Sequence, residues 1–106
     1  MSAPLAVVFT TVDDEGRARE LAALLVEERL AACIQIETIP VQSVYRWDEG
    51  VEWASEWRLM LKLPASQVER MRRRLFELHP YDTPEFVVVD AEASSAYARW
   101  VTDSCS

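Results

Sequence analysis

The sequence is poor in the residues on which many enzymes and metal proteins depend, since it has two glycines, two cysteines and one histidine. Two glycines exclude most glycine-rich phosphate-binding loops, and no nucleophile motif of the G-x-S-x-G kind occurs. Cys33 and Cys105 lie far apart and form no C-x-x-C pair, so neither a disulfide framework nor a structural zinc site is indicated. We therefore predict a protein that is not an enzyme and requires no cofactor.

Positive charge is also scarce, because 11 lysines and arginines stand against 18 acidic residues and the formal net charge is -7. Nucleic-acid binding usually depends on a basic surface. The one basic cluster, within residues 70–74, is typical of a solvated helix face, with an anion contact as the alternative. We expect no nucleic-acid partner.

Long apolar runs are missing as well. No segment approaches the roughly 20 apolar residues that cross a bilayer, and residues 1–9 lack the pattern of a signal peptide. We expect a cytoplasmic protein with reduced thiols and no membrane partner.

The apolar patterns predict one domain over residues 1–106 with the order β-α-β-β-α-β and a short last helix. Leu5–Phe9 and Phe86–Val89 are continuous apolar runs typical of buried strands. Asp13 is the predicted cap of the first helix. The second helix is predicted to begin at a Ser66–Glu69 capping box and to end at Pro80.

A long hairpin is predicted in the middle of the chain. Its first arm, Ala32–Trp47, changes phase near Pro40, which indicates a bulge or bend. Asp48–Gly50 supplies the turn, and Val51–Leu63 is the second arm. At about 3.3 Å per residue each arm is roughly 40 Å long, whereas a globule of this size is about 30 Å across. We therefore expect the hairpin to project beyond the core.

This order predicts an α+β, ferredoxin-like sandwich with both long helices on one face, and an extra C-terminal helix that begins near Ser94 or Ser95. The other face of Leu5–Phe9 and Phe86–Val89, which we expect to be inner strands, has no cover from this chain. An uncovered apolar face needs a partner surface, and an identical subunit is the simplest one. We therefore predict a homo-oligomer.

Five segments together closely resemble the CutA divalent-cation-tolerance family, and the similarity covers nearly the whole chain. These segments are Leu30–Ile34, Ser43–Trp47, Leu61–Lys62, His79–Glu85, and the pair Tyr97 and Trp100. The resemblance implies a ferredoxin-like subunit that forms a tight homotrimer, with a role in copper and divalent-metal tolerance. It also implies an architecture similar to that of the trimeric PII-like signalling proteins.

The loop from His79 to Glu85 is the candidate metal site. His79, Asp82 and Glu85 are the candidate ligands, a neighbouring subunit could add donors, and the implied ion is Cu²⁺ or another divalent cation. In the alternative, His79 caps the second helix and Glu85 makes an inter-subunit hydrogen bond. Thr10 and Leu78 stand where some family members carry a cysteine and a second histidine, so a site built on those ligands would be weaker here.

Further candidates follow from the family pattern and from residue type. The residues predicted to line an inter-subunit cleft are Lys62, Tyr81, Trp47 and Tyr45. The aromatic residues predicted at subunit interfaces are Trp53, Trp57 and Trp100. Lys62 is expected to pair with Asp82 or Glu85 across a subunit boundary, or to hold an anion in the cleft.

Two functions remain open at this point. The first is a trimeric protein of divalent-cation tolerance that binds metal weakly near the His79–Glu85 loop. The second is a PII-like sensor or scaffold that binds a small anionic metabolite in the inter-subunit clefts and signals to an unidentified protein partner.

Overall fold

The chain folds in the predicted order, with the first arm of the hairpin divided into two strands. A computed structural model describes residues 1–106. The elements are β1 (Ser2–Val12), α1 (Glu15–Glu27), β2 (Cys33–Ile36), β3 (Val41–Trp47), β4 (Gly50–Leu63), α2 (Val68–Leu78), β5 (Val87–Ser94) and α3 (Ser95–Ser104). None of the helices has the length and apolar composition needed to cross a membrane.

The sheet has the strand order β2-β4-β1-β5, and its neighbouring strands are antiparallel. β3 extends the first arm of the hairpin and pairs with β4 alone. The inner strands are therefore β1 and β4, and the predicted inner position of Phe86–Val89 is wrong. β5 pairs only with β1, and Val87, Val88 and Val89 are exposed at the sheet edge.

The core lies between the sheet and the two long helices. It joins alternate residues of β1 and β4 to the apolar stripes of α1 and α2, and its largest members are Val8, Val12, Leu25, Leu59, Leu61, Leu63, Met71 and Leu75. Because side chains alternate along a strand, Val7, Phe9 and Met60 point to the opposite face, where they stay partly exposed. Lys62, which pairs with Val7 and points to this face, lies beside Tyr97 of α3, so the predicted absence of cover is only partly confirmed.

The bend near Pro40 is confirmed by the pairing register. Ile36 faces Leu59, whereas Val41 faces Glu56, so residues 37–40 lie opposite only residues 57 and 58. A proline donates no hydrogen bond to a ladder, which makes this a favourable place to interrupt the strand. The interruption separates β2, in the main sheet, from β3, in the projecting arm.

Both helix starts differ from the predictions. Asp14, not Asp13, caps α1, because its Oδ1 accepts a 2.9 Å hydrogen bond from the backbone N–H three residues along, that of Arg17. The capping box at Ser66 is wrong, because residues 65–67 form a 3₁₀ turn after β4 and α2 begins without a side-chain cap. Glu69 instead pairs with Arg72 on the same helix.

The hairpin turn lies at the predicted place but is one residue shorter than predicted, and its tight geometry has an energetic cost. Trp47 faces Gly50, so only Asp48 and Glu49 form the loop, with φ of 47° and 64°. Positive φ at both central residues matches the twist of an antiparallel ribbon. It is unfavourable for most residues other than glycine and asparagine. The turn therefore holds the arm in register at the expense of local strain.

We expect Glu49→Gly to raise the free energy of unfolding by about 1 kcal/mol, because glycine adopts positive φ without a steric penalty. Urea unfolding followed by circular dichroism measures the change. Glu52→Gly is the matched control on the same arm, where the backbone is extended, and there glycine should destabilise. A loss of stability in both variants would contradict a strained turn.

Candidate functional site

A cleft of about 850 Å³ lies between the projecting hairpin and the loop after α2. One wall is formed by β3 and β4, and the other by residues 81–85. Thr11 and Asp13, at the end of β1, lie between the two walls. We call this feature the hairpin cleft.

His79 fixes the loop wall of the hairpin cleft. The backbone N–H of Tyr81 lies 3.1 Å from Nδ1, and the carbonyl oxygen of Thr11 lies 2.9 Å from Nε2. Since Nδ1 accepts the Tyr81 hydrogen bond, Nε2 carries the proton and donates to Thr11. The ring, which is 7% exposed, thereby joins the end of β1 to the loop.

These contacts leave His79 in a structural role within the subunit. Both ring nitrogens are engaged, and the side chain does not line the hairpin cleft. Its backbone N–H also donates to Leu75 and ends α2, as the structural alternative expected. Burial lowers the pKa of His79, against the opposing effects of the Thr11 hydrogen bond and the charges of Asp13 and Glu56. The geometry favours a neutral imidazole whose lone pair is already occupied.

Tyr81 connects the two walls. Its hydroxyl donates a 2.8 Å hydrogen bond to Oε2 of Glu56 on β4. Burial, together with the hydrogen bond to this carboxylate, raises the pKa of Tyr81 above its ordinary value, so the phenol keeps its proton and remains a donor. Tyr81 therefore lines the hairpin cleft and bridges its two walls.

Glu56 is a carboxylate that is nine-tenths buried, with an exposure of 9%. Its Oε1 accepts no hydrogen bond, and no lysine or arginine lies within ion-pair distance of either oxygen. Oε1 is not fully buried, so it is open to the cleft. The subunit therefore leaves this charge without a counter-charge.

Negative charge collects in the hairpin cleft. The carboxylates of Asp13, Glu56, Asp82 and Glu85 line it, and no lysine or arginine does. Partial desolvation and repulsion by Glu56 raise the pKa of Glu85, against the lowering effect of Arg58. A cleft with low-dielectric walls and one sign of charge concentrates counter-ions of the opposite sign. The electrostatics therefore favour a cation over an anion.

Two of the three predicted metal ligands, Asp82 and Glu85, line the cleft. Nitrogen and sulfur donors are absent from its walls, because His79 lies behind them and Cys33 and Cys105 lie in other parts of the fold. No three histidine, cysteine, aspartate or glutamate side chains come close enough within one subunit to hold a metal ion. One subunit thus offers only dispersed oxygen donors.

The aromatic candidates divide between the cleft and the outer surface. Tyr45 and Trp47 line the hairpin cleft, and Trp47 is 62% exposed. Trp53 and Trp100 are exposed outside it. Trp57 is half-buried and packs against the core of its own subunit, and its position at a subunit interface stays a prediction.

Lys62 lies away from the hairpin cleft within its own subunit. It pairs with Val7 and Cys33 in the main sheet, roughly 20 Å along β4 from Glu56. Its Nζ lies 5.7 Å from the centre of the Tyr97 ring. An ion pair from Lys62 to Asp82 or Glu85 of a neighbouring subunit stays a prediction.

The residues that reasoning from sequence missed are Glu56 and Asp13. The alternation of β4 placed Glu56 on the polar side of the strand, without a sign that Tyr81 and the loop cover it. Asp13 follows β1 directly, and it was interpreted only as a helix cap.

Fold and cleft together define a ferredoxin-like subunit with an acidic cleft beside a projecting arm. Residues 6–104 match the sequence profile of the CutA1 divalent ion tolerance protein family. The chain belongs to that family, which confirms the resemblance recognised in its sequence.

Relatives match over most of their length. The divalent-cation tolerance protein CutA of Thermus thermophilus is 39% identical over 100 residues, which are 92% of this chain and 95% of that protein. The CutA structure of Synechococcus elongatus has a TM-score of 0.92 at 36% identity and covers 98% of this chain and 92% of that one. The T. thermophilus structure has a TM-score of 0.88 at 37% identity and covers 98% of both chains. The predicted ferredoxin-like fold is confirmed.

We expect His79→Gln to lower the free energy of unfolding by about 1–2 kcal/mol at neutral pH, because glutamine cannot replace both ring hydrogen bonds. The pH dependence should also change. The unfolded chain takes up a proton at His79 near pH 6.5, whereas the folded chain resists protonation until lower pH, so this group stabilises above pH 6.5 and the stability is lost as pH falls.

Urea unfolding of both proteins between pH 7.5 and pH 5 tests this expectation. The raised pKa of Glu85 acts in the opposite direction, but it is present in both proteins and therefore cancels in their difference. The advantage of the wild type over His79→Gln should shrink on acidification. A difference that stays constant over the whole range would show that His79 titrates normally in the folded state.

Proposed function

We propose that this protein is a non-enzymatic, homotrimeric protein of divalent-cation tolerance that binds cations weakly in the hairpin cleft. The single observation that carries the proposal is the lining of this cleft, which has carboxylates from three parts of the chain and no lysine or arginine. The description of the family and the names of its relatives support divalent ions as the class of ligand. We place the protein in the cytoplasm, where two unpaired cysteines are usual.

The preferred ion follows from the donors. The cleft offers carboxylate, hydroxyl and carbonyl oxygens, which suit Mg²⁺, Ca²⁺ and Mn²⁺ better than the softer copper ions. Cu²⁺, which the sequence suggested, would need nitrogen or sulfur donors from a neighbouring subunit. A small anionic metabolite is disfavoured in the same place, because Asp13, Glu56, Asp82 and Glu85 would repel it.

Assembly is supported by exposed apolar surface. Trp53 is 70% exposed on the arm, and Val87, Val88 and Val89 lie on an unpaired sheet edge. Isolated two-stranded ribbons are only marginally stable in water, and unpaired edges readily accept another strand. Contacts with neighbouring subunits would stabilise both features, and the number three comes from the family resemblance.

The oligomer is tested by multi-angle light scattering at micromolar concentration, where we expect a mass of three times 12.1 kDa. Trp53→Glu should weaken assembly by at least about tenfold, because it puts a charge into a buried contact. Ala23→Glu, at an exposed position of α1, is the control and should leave the mass unchanged. A stable 12.1 kDa species from the wild type would contradict the trimer.

Cation binding is tested by titrating the assembled protein with Mn²⁺ and following water proton relaxation. We expect Glu85→Gln to weaken binding by about tenfold, because it removes one of the few carboxylates that face the cleft. Glu20→Gln, which removes the same charge from the exposed face of α1, is the matched control.

Equal effects of the two substitutions would mean that Mn²⁺ responds only to net charge, and would exclude a site in the cleft. A parallel titration with Cu²⁺ compares copper with Mn²⁺, which prefers oxygen donors. Copper binding that is tighter than Mn²⁺ binding and is lost in His79→Gln would overturn the choice of oxygen donors.

A further inference from the structure

The hairpin cleft combines two features that a compact metal site does not need. It has a volume of about 850 Å³, and aromatic side chains form part of its walls beside the carboxylates. A bound metal ion draws its ligands to within about 2.0–2.6 Å of one point. Here the carboxylates come from the end of β1, from the arm and from the loop, and no three of them converge. The dispersed charge therefore fits a cation whose own charge is spread over several positions.

The aromatic walls fit the same kind of ligand. Tyr45 and Trp47 of the arm and Tyr81 of the loop line the cleft, and their ring faces attract ammonium groups while packing against methylene groups. Tyr45 and Trp47 lie on the same strand two residues apart, so they point to the same face of the ribbon. Inorganic ions gain little from such surfaces.

Glu56 offers a free carboxylate oxygen to the cleft, because its Oε1 makes no hydrogen bond and is not fully buried. The residue as a whole is nine-tenths buried, it lines the cleft, and its only partner is the neutral hydroxyl of Tyr81. A carboxylate in this position is stabilised by an ammonium group that both donates a hydrogen bond and supplies the counter-charge. The raised pKa of Glu85 agrees with unrelieved repulsion between these two carboxylates.

We infer that the hairpin cleft binds a linear aliphatic polyamine, with ammonium groups at Glu56 and at the loop carboxylates Asp82 and Glu85 and methylene groups against Tyr45 and Trp47. This inference rests on the proposed binding of cations in the cleft, and it adds an organic cation to the divalent ions proposed there.

Isothermal titration of the assembled full-length protein with spermidine tests the inference. We expect saturable binding with one spermidine per subunit. Mg²⁺ at matched ionic strength should not abolish it, and a neutral aliphatic diol should not bind. Glu56→Gln should weaken spermidine binding by about tenfold, since it removes the buried charge but keeps an acceptor for Tyr81. Glu52→Gln, on the same strand outside the cleft, is the matched control and should bind as the wild type does.

The aromatic contribution has its own pair of variants. Trp47→Leu should weaken binding about threefold or more, whereas Phe76→Leu, at an exposed aromatic residue of α2 outside the cleft, should not. Light scattering first establishes that each variant keeps the mass of the wild type, and Tyr45→Leu replaces Trp47→Leu if that variant fails to assemble.

The inference is overturned by an absence of saturable binding at millimolar spermidine, which would also result if a neighbouring subunit filled the cleft. Equal weakening by Glu56→Gln and Glu52→Gln would overturn it too, since it would reveal charge screening alone. Mn²⁺ binding that depends on Glu85 without any spermidine binding would leave the proposed function intact and remove only this inference. Spermidine binding that follows the variants, without Mn²⁺ binding, would support the inference and refute the divalent-metal function.

Discussion

The length of β4 determines the shape of the subunit. Its second half, which ends at Leu63, lies between β1 and β2 and fills the core with leucine side chains. Its first half has only β3 beside it, so it leaves the globule as a two-stranded arm and gives the molecule a long axis of 47 Å against 25 and 24 Å. Such a ribbon cannot bury its own side chains. The exposed aromatic residues and one wall of the hairpin cleft are both consequences of this single strand.

The opposite wall depends on a histidine whose two ring nitrogens both make hydrogen bonds. His79 ends α2 and joins the loop to the carbonyl of Thr11, which brings Tyr81 within hydrogen-bond distance of Glu56 on the arm. This closure partly desolvates a carboxylate and places it near two others from the loop and one from the end of β1. Structural and electrostatic properties are thus coupled: the contacts that shape the cleft also create its unbalanced negative charge. A cation or a neighbouring subunit can relieve that charge, and both would stabilise the arm in its present position.

Predictions that depended on neighbouring residues succeeded most often. The order of elements, the place of the hairpin turn, the bend near Pro40 and the start of α3 at Ser94 or Ser95 all follow from local periodicity, turn chemistry and capping. The predicted starts of α1 and α2 were wrong, although they too depended only on neighbouring residues. Asp13 and Asp14 are both competent caps, and the geometry of the entering strand chose between them. At Ser66, the 3₁₀ turn after β4 displaced the expected capping box.

The sequence by itself determined the elements, the length of the arm and the family, because these are properties of contiguous segments and of their order. Only the tertiary structure decided that β5 lies at the sheet edge, that His79 is engaged at both nitrogens, and that Glu56 faces the cleft. The contacts responsible join residues 68 positions apart, for His79 and Thr11, and 25 positions apart, for Tyr81 and Glu56. Hydrophobic period and capping patterns carry no information about such separations. The contacts themselves are set by the path of the sheet, which brings the end of β1, the arm and the loop to one place.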